Sequence, residues 1–219
     1  MYDVNRELED LEYLLEDDFK LSYILSDTSI RCEDEFSEDW YDESYFHHDY
    51  VLKIEAYGSE ICECVGEMSL KLFKTSLMDC LGQNRFDVFD SIDDEYSDLG
   101  FLLENNNKLK GAYEDADYVL YLEKLFVNKS IRNKGIAHKV LSQIYDIIDW
   151  YLEIFPDIVI LKSYPIETKM EHAYKDKETE EYYNEFNEVS YKLNKLYSDC
   201  DFNIVKDNDS YYFYKLKNE

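Results

Sequence analysis

Apolar residues recur along this chain with two different periods, and the switches between them lay out its elements. Leu8, Leu11, Leu14 and Leu15 stand at helical spacing and predict a short amphipathic helix. Residues 19–25 predict a first strand, whereas the acidic and aromatic stretch 28–49 follows neither period. Residues 50–57 and 61–73 are rich in β-branched and aromatic side chains and predict two strands folded about a turn at Gly58 and Ser59. A helical stretch in two pieces is expected over 76–105, closed by Asn105, Asn106 and Asn107.

The best-organised segment follows. Residues 117–127 (DYVLYLEKLFV) carry too many β-branched and aromatic side chains for a comfortable helix and predict a strand. After a short turn, a helix is expected over 134–154, its apolar face formed by Ile136, Val140, Leu141, Ile144, Ile147, Ile148 and Tyr151. Phe155 and Pro156 stop it. Residues 158–161 are a short apolar run of the kind buried on both faces of a sheet. Residues 167–199 are charged and helix-rich, and 202–205 with 211–216 predict a terminal strand pair across Asp207, Asn208 and Asp209. Strand, helix, strand implies a parallel pair, and the flanking hairpins imply antiparallel neighbours. The expectation is therefore an α/β fold: one domain with a central mixed sheet flanked by helices. The domain proper would span 50–219, with 1–49 packed on it.

Composition narrows the class. A length of 219 residues suits one substantial domain, and 45% hydrophobic residues supply a packed interior. No apolar run approaches the ~20 residues of a membrane-spanning helix. The start, from Met1 to Glu7, lacks the basic and apolar regions of a signal peptide. Five scattered cysteines suit reduced thiols, so the chain reads as cytoplasmic. Its 50 acidic residues outweigh 23 basic ones, a net charge of −27 that repels nucleic acid and anionic membranes and favours a cationic partner or substrate. The acids are unevenly placed, however. From Lys124 to Tyr145 there is no Asp or Glu, while Lys124, Lys129, Arg132, Lys134, His138 and Lys139 all fall there. Such a segment in an acidic chain is suited to an anion.

Within that segment, Arg132, Asn133, Lys134, Gly135, Ile136, Ala137 and His138 join the strand to the helix. Backbone N–H groups at a helix start, with the helix dipole behind them, attract anions, and Gly135 lets backbone approach a phosphate closely. The run Leu125-x-Val127, then R-x-x-G-x-A, then an amphipathic helix resembles motif A of the GNAT (Gcn5-related N-acetyltransferase) superfamily. The resemblance implies that the loop wraps the pyrophosphate of acetyl-coenzyme A, while the backbone of Leu125, Phe126 and Val127 pairs with the pantetheine arm. A second match, Leu196, Tyr197 and Phe202, is similar to the family's L-Y-x-x-x-G-F segment, with Asp201 where Gly is usual.

The same resemblance supplies candidate catalytic residues. Tyr197 matches a tyrosine that protonates the departing CoA thiolate, although with 22 tyrosines in the chain a packing role is the alternative. Tyr121-Leu122-Glu123 resembles the strand of the diamine and polyamine acetyltransferase branch, which implies that Glu123 binds the acceptor ammonium and takes its proton; an ordinary strand-edge Glu is the alternative. Cys62 and Cys64 lie two apart, but no second pair at zinc spacing exists and His47 and His48 form an isolated doublet, so no metal site is expected. The implied function is transfer of an acetyl group from acetyl-CoA to an amine, on a small molecule or on a protein or peptide, with a homodimer left open. The competing class is a CoA-binding sensor or acidic interaction module without catalysis.

Overall fold

Three strands that follow one another in the chain also lie side by side. In the computed structural model, which describes residues 20–27, 45–57, 62–165, 180–207 and 210–217, β1 (Lys20–Asp27) pairs along β2 (His47–Tyr57), and β2 along β3 (Cys62–Lys74), all antiparallel. The sheet thus takes in strand residues from the 1–49 segment. The helix expected over 8–15, the turn at Gly58 and Ser59, and most of 28–49 lie outside the described residues.

The stretch expected as two helical pieces is broken further, into α1 (Thr75–Cys80), α2 (Arg85–Ile92) and α3 (Asp94–Asn105), with α4 (Lys110–Glu114) after it. The breaks have local causes. Gly82 sits at φ 68°, the Asn84 side chain caps α2 by accepting from Phe86 N and Asp87 N, and Asp93 caps α3 by accepting from Glu95 N and Tyr96 N.

β4 (Tyr118–Val127) returns beside β3, and β5 (Ile158–Lys162) lies parallel to β4. Between them the single helix expected over 134–154 is instead two, α5 (Ile136–Ser142) and α6 (Ile144–Leu152), joined at Gln143. Gln143 leaves helical geometry at φ −105°, ψ 15°, and its N–H is shared between the Lys139 and Val140 carbonyls. The apolar stripe continues through the joint, which is why periodicity alone does not reveal it. α7 (Glu180–Asp199) leads to β6 (Asn203–Asp207) and β7 (Ser210–Leu216), giving one seven-stranded sheet in the order β1-β2-β3-β4-β5-β7-β6. Every neighbouring pair is antiparallel except β4–β5. This mixed α/β sheet flanked by helices is the architecture the sequence implied.

Side-chain alternation along the strands feeds two cores, one on each face. Leu52, Ile54, Met68, Leu70, Leu120, Leu122, Val159, Leu161 and Phe213 pack with α5, α6 and the end of α7. Phe73, Val119, Tyr121, Ile158, Ile160, Tyr212 and Tyr214 pack with α1 to α4. No helix among the described residues is long and apolar enough to cross a membrane.

Candidate functional site

The site begins with a change of register. β3 pairs Ser69 with Lys124 but Leu70 with Leu122, so Glu123 is an extra residue on β4 with no partner opposite. Such a bulge bends the strand and adds one to its side-chain alternation. Leu120 and Leu122 point into the α5/α6 core before it, and Leu125 and Val127 point there after it. Without the bulge the polar and apolar positions of the second half would exchange faces.

Beyond the bulge, β4 leaves β5. The two are paired only through Val119–Ile158, Leu120–Val159, Tyr121–Ile160 and Leu122–Leu161. β4 then continues along β3 as far as Val127, opposite Gly66, while Ser163 N, just past β5, donates to Tyr211 O of β7 at 2.8 Å. The parallel pair therefore opens into a V whose inner edge on one side is the backbone of residues 123–127. Gly66 is essential to that edge, since a Cβ there would lie 2.4 Å from Phe126 O.

The loop that follows is tied down at its base. Asn128 N donates to Val65 O at 2.9 Å, Asn128 Nδ2 to Cys64 O at 3.0 Å, and Arg132 Nε to Val127 O at 2.8 Å. The Arg132 guanidinium also lies over the Phe126 ring at 5.6 Å, as does the Lys124 ammonium. Arg132 is thus partly engaged in holding the loop to its own strand, and its charge stays at the loop. Asn133 and Gly135 both take left-handed conformations, at φ 66° and φ 82°. Gly135 is the residue before α5, and no heavy atom lies within 4 Å of where its Cβ would be, so that side is open. The first intrahelical donor is Lys139, to Gly135 O at 2.9 Å; the N–H groups of Ile136, Ala137 and His138 precede it and have no acceptor within the helix. Lys134 and Ala137 are half-buried, and Ile136 anchors the helix start in the core.

The two candidate catalytic residues lie on opposite faces of the sheet. Tyr197, near the end of α7, is buried beside Phe213 (ring centroids 5.0 Å apart) and Phe202. Burial first, then the Cys200 thiol, pushes its hydroxyl up to about 12. The connection to the loop is Cys200, whose Sγ donates to His138 O at 3.6 Å. His138 itself is exposed, with Nδ1 at 3.5 Å from Ser142 Oγ. Asp201 adopts φ 63°, and Phe202 N closes the helix by donating to Tyr197 O at 3.1 Å. The position where the resembled motif has Gly is therefore a left-handed helix end, occupied by one of the residue types that tolerates it.

Glu123 turns the other way, toward α3, where its carboxylate accepts a hydrogen bond from the Tyr96 hydroxyl. Beside it the Tyr121 hydroxyl donates to Glu95. Burial, followed by these carboxylates, pushes both hydroxyls far above the ordinary tyrosine range, so both remain donors at any physiological pH. Sequence reasoning missed Tyr96, Gly66 and Asn128. The only signal for Tyr96 was its place three residues after the capping Asp93, which says where α3 starts and nothing of what it faces.

No protein-family model matches the chain, and no curated protein sequence does. Among solved structures it is similar to a polyamine N-acetyltransferase of Drosophila melanogaster (8% identity, TM-score 0.40, covering 77% of this chain and 74% of that one). A mosquito arylalkylamine N-acetyltransferase-like protein 5b is similar at 11% identity and TM-score 0.39, over 76% of this chain and 74% of its own. NAA60 of Arabidopsis thaliana, in complex with acetyl-CoA, is similar at 14% identity and TM-score 0.37, over 98% and 95%. At these identities and TM-scores the likenesses carry nothing about what this chain binds or acts on.

Proposed function

We propose that this chain is an acyl-CoA-dependent N-acyltransferase that moves an acetyl group from acetyl-CoA to an amine, with a cationic small amine as the favoured acceptor. The observation that carries the reading is the opening of β4 from β5 directly beside an acid-free loop whose two left-handed residues, Asn133 and Gly135, precede α5. An exposed strand edge can pair with an amide-bearing arm, and a basic loop with unpaired N–H groups can hold phosphates. The open side of Gly135 and the unpaired inner edge of β4 fit such a ligand. Leu125, Phe126 and Val127 would offer backbone groups to the pantetheine, and the segment from Arg132 to His138 would hold the pyrophosphate.

When bound, acetyl-CoA supplies a thioester whose C–S bond breaks as the amine nitrogen forms the amide; the proton lost by nitrogen balances the one gained by sulfur. The acceptor must be neutral to attack, and Glu123 would receive an ammonium and take its proton, directly or through water. Tyr197, kept protonated by its burial, would donate toward the leaving sulfur. The surrounding negative charge draws cationic acceptors in.

A second reading, CoA binding without transfer, is favoured by one observation: Tyr197 is only 9% exposed, packed between aromatic rings. Release of free thiol from acetyl-CoA over a panel of polyamines, aminoglycosides, arylalkylamines and lysine peptides separates the two. Amine-dependent release supports the enzyme. Tight CoA binding with no release on any amine supports the second reading, and no measurable CoA affinity overturns both.

A further inference from the structure

We infer that Tyr96 of α3 is a positioning residue that holds the Glu123 carboxylate in the orientation the acceptor amine meets. This rests on the acyltransferase reading above and adds to it a residue on a different element, 27 positions away in sequence.

The need for such a residue follows from the bulge. Glu123 has no cross-strand partner on β3, and the β4–β5 ladder ends one residue earlier, at Leu122. Its backbone is therefore less constrained than that of its neighbours, and a half-buried carboxylate there has several rotamers open to it. The Tyr96 hydroxyl bonds Oε1, which selects one of these and leaves Oε2 to face a ligand.

Tyr96 is itself held from several sides, as a positioning group must be. Its backbone N–H donates to the capping Asp93 carboxylate at 3.1 Å, which fixes it in the first turn of α3. Its ring meets Phe73 edge-on at 5.7 Å and Tyr121 edge-on at 5.8 Å. The Lys71 ammonium lies over the ring at 5.1 Å and is itself paired with Asp49. Only 7% of the residue is exposed. The neighbouring bond, Tyr121 to Glu95, has the same chemistry with the partners reversed between α3 and β4, but its carboxylate is on an exposed residue outside the opening. It is a brace between the same two elements and provides an internal control.

The test is a double-mutant cycle in the full chain, with kinetics on the best amine of the panel. Tyr96→Phe removes one oxygen and keeps the ring. Hydrogen bonds to charged groups are strong enough that kcat/KM for the amine is expected to fall about ten- to a hundredfold, with KM for acetyl-CoA unchanged. In the Glu123→Gln background the same substitution should change kcat/KM less than about twofold, because what it positions is already altered. Tyr121→Phe should lower thermal stability about as much as Tyr96→Phe while leaving kcat/KM within about twofold. A folded Tyr96→Phe protein with unchanged kcat/KM overturns the inference alone, as does an equal loss from Tyr96→Phe with and without Glu123→Gln. A wild-type protein that turns over no amine overturns the acyltransferase reading and this inference with it.

Discussion

Gly135 offers the sharpest experiment, because its substitution separates backbone strain from charge. The residue sits at φ 82°, ψ 3°, with nothing within 4 Å of a Cβ. Adding a Cβ therefore brings no clash, only the penalty of a left-handed L-residue, about 1–2 kcal/mol. Stiffening of the unfolded chain offsets about 0.4–1 kcal/mol of this. A net loss of about 1 kcal/mol lowers Tm by about 2–4 °C in a chain of this size, and it should be the same for Gly135→Ala and Gly135→Glu without ligand. CoA at a hundred times its wild-type Kd stabilises the native state by about 2.7 kcal/mol, a rise of about 5–10 °C. In Gly135→Ala the methyl group stands on the open side assigned to the ligand, so that rise should be reduced but still measurable. In Gly135→Glu, a carboxylate about 6 Å from a phosphate at an effective dielectric near 20 opposes binding by about 3 kcal/mol, more than a hundredfold in Kd. The same CoA concentration should then raise Tm by less than about 1 °C. Thermal unfolding of the three proteins, with and without CoA, reads both effects. A full CoA-induced rise in Gly135→Glu would place the phosphates elsewhere and remove the basis for the proposed site.

Four other outcomes are expected. Asp201→Gly relieves a left-handed residue at φ 63° and should raise Tm by about 1–4 °C; an unchanged or lower Tm would show that the Asp side chain contributes more than its backbone costs. Because burial raises the Tyr197 hydroxyl to about 12 against an ordinary 10, its contribution to stability is complete below pH 10 and is lost as pH rises from 10 to 12. Chemical denaturation across that range should show a shallower decline for Tyr197→Phe than for wild type, and parallel curves would contradict the buried placement. If the same hydroxyl donates to the leaving sulfur, Tyr197→Phe should also lower kcat by about 10²- to 10⁴-fold with little change in KM for acetyl-CoA. With a net charge of −27, kcat/KM for a polyamine should fall as salt rises toward a screening length of about 8 Å, and a rate that ignores salt would argue against steering.

What the sequence disclosed, and what it hid, follows from the range of the interactions involved. The strand expected over 117–127 is present as Tyr118–Val127, because β-branched and aromatic side chains act locally and on both faces. The acid-free loop and the glycine at the start of its helix were legible for the same reason, whereas the left-handed conformation of Gly135 was not. The bulge at Glu123 was not, since it exists only as a mismatch between two strands far apart in sequence, Ser69 against Lys124. Nor was the break at Gln143, where apolar spacing runs on from Val140 and Leu141 to Ile144 and Ile147 as it would in one helix. The capping residues Asn84 and Asp93 did carry a signal that a closer reading of 76–105 would have used to divide it. That Tyr96 reaches Glu123 depends on how α3 lies across the sheet, and no spacing along the chain encodes it.

The join between β4 and β5 has a mechanical side. Among the described residues, four residue pairs link strands β1–β4 to strands β5–β7–β6 within the sheet. The two ends of this seam are unequal. At Val119 and Ile158 it is clamped by Asp157, whose carboxylate accepts from Asp117 N at 2.8 Å and Tyr118 N at 3.1 Å and whose own N–H donates to Tyr118 O at 2.9 Å. At Leu122 and Leu161 it simply ends. The sheet is thus built like a pair of tweezers, stiff at the Asp157 hinge and free at the tips. A guest lodged between the tips, bonded to the edge of β4, would lengthen the seam from its weak end and couple the two arms. Amide exchange should slow first at Leu122 and last at Val119, because the amides nearest the tips have the most protection to gain.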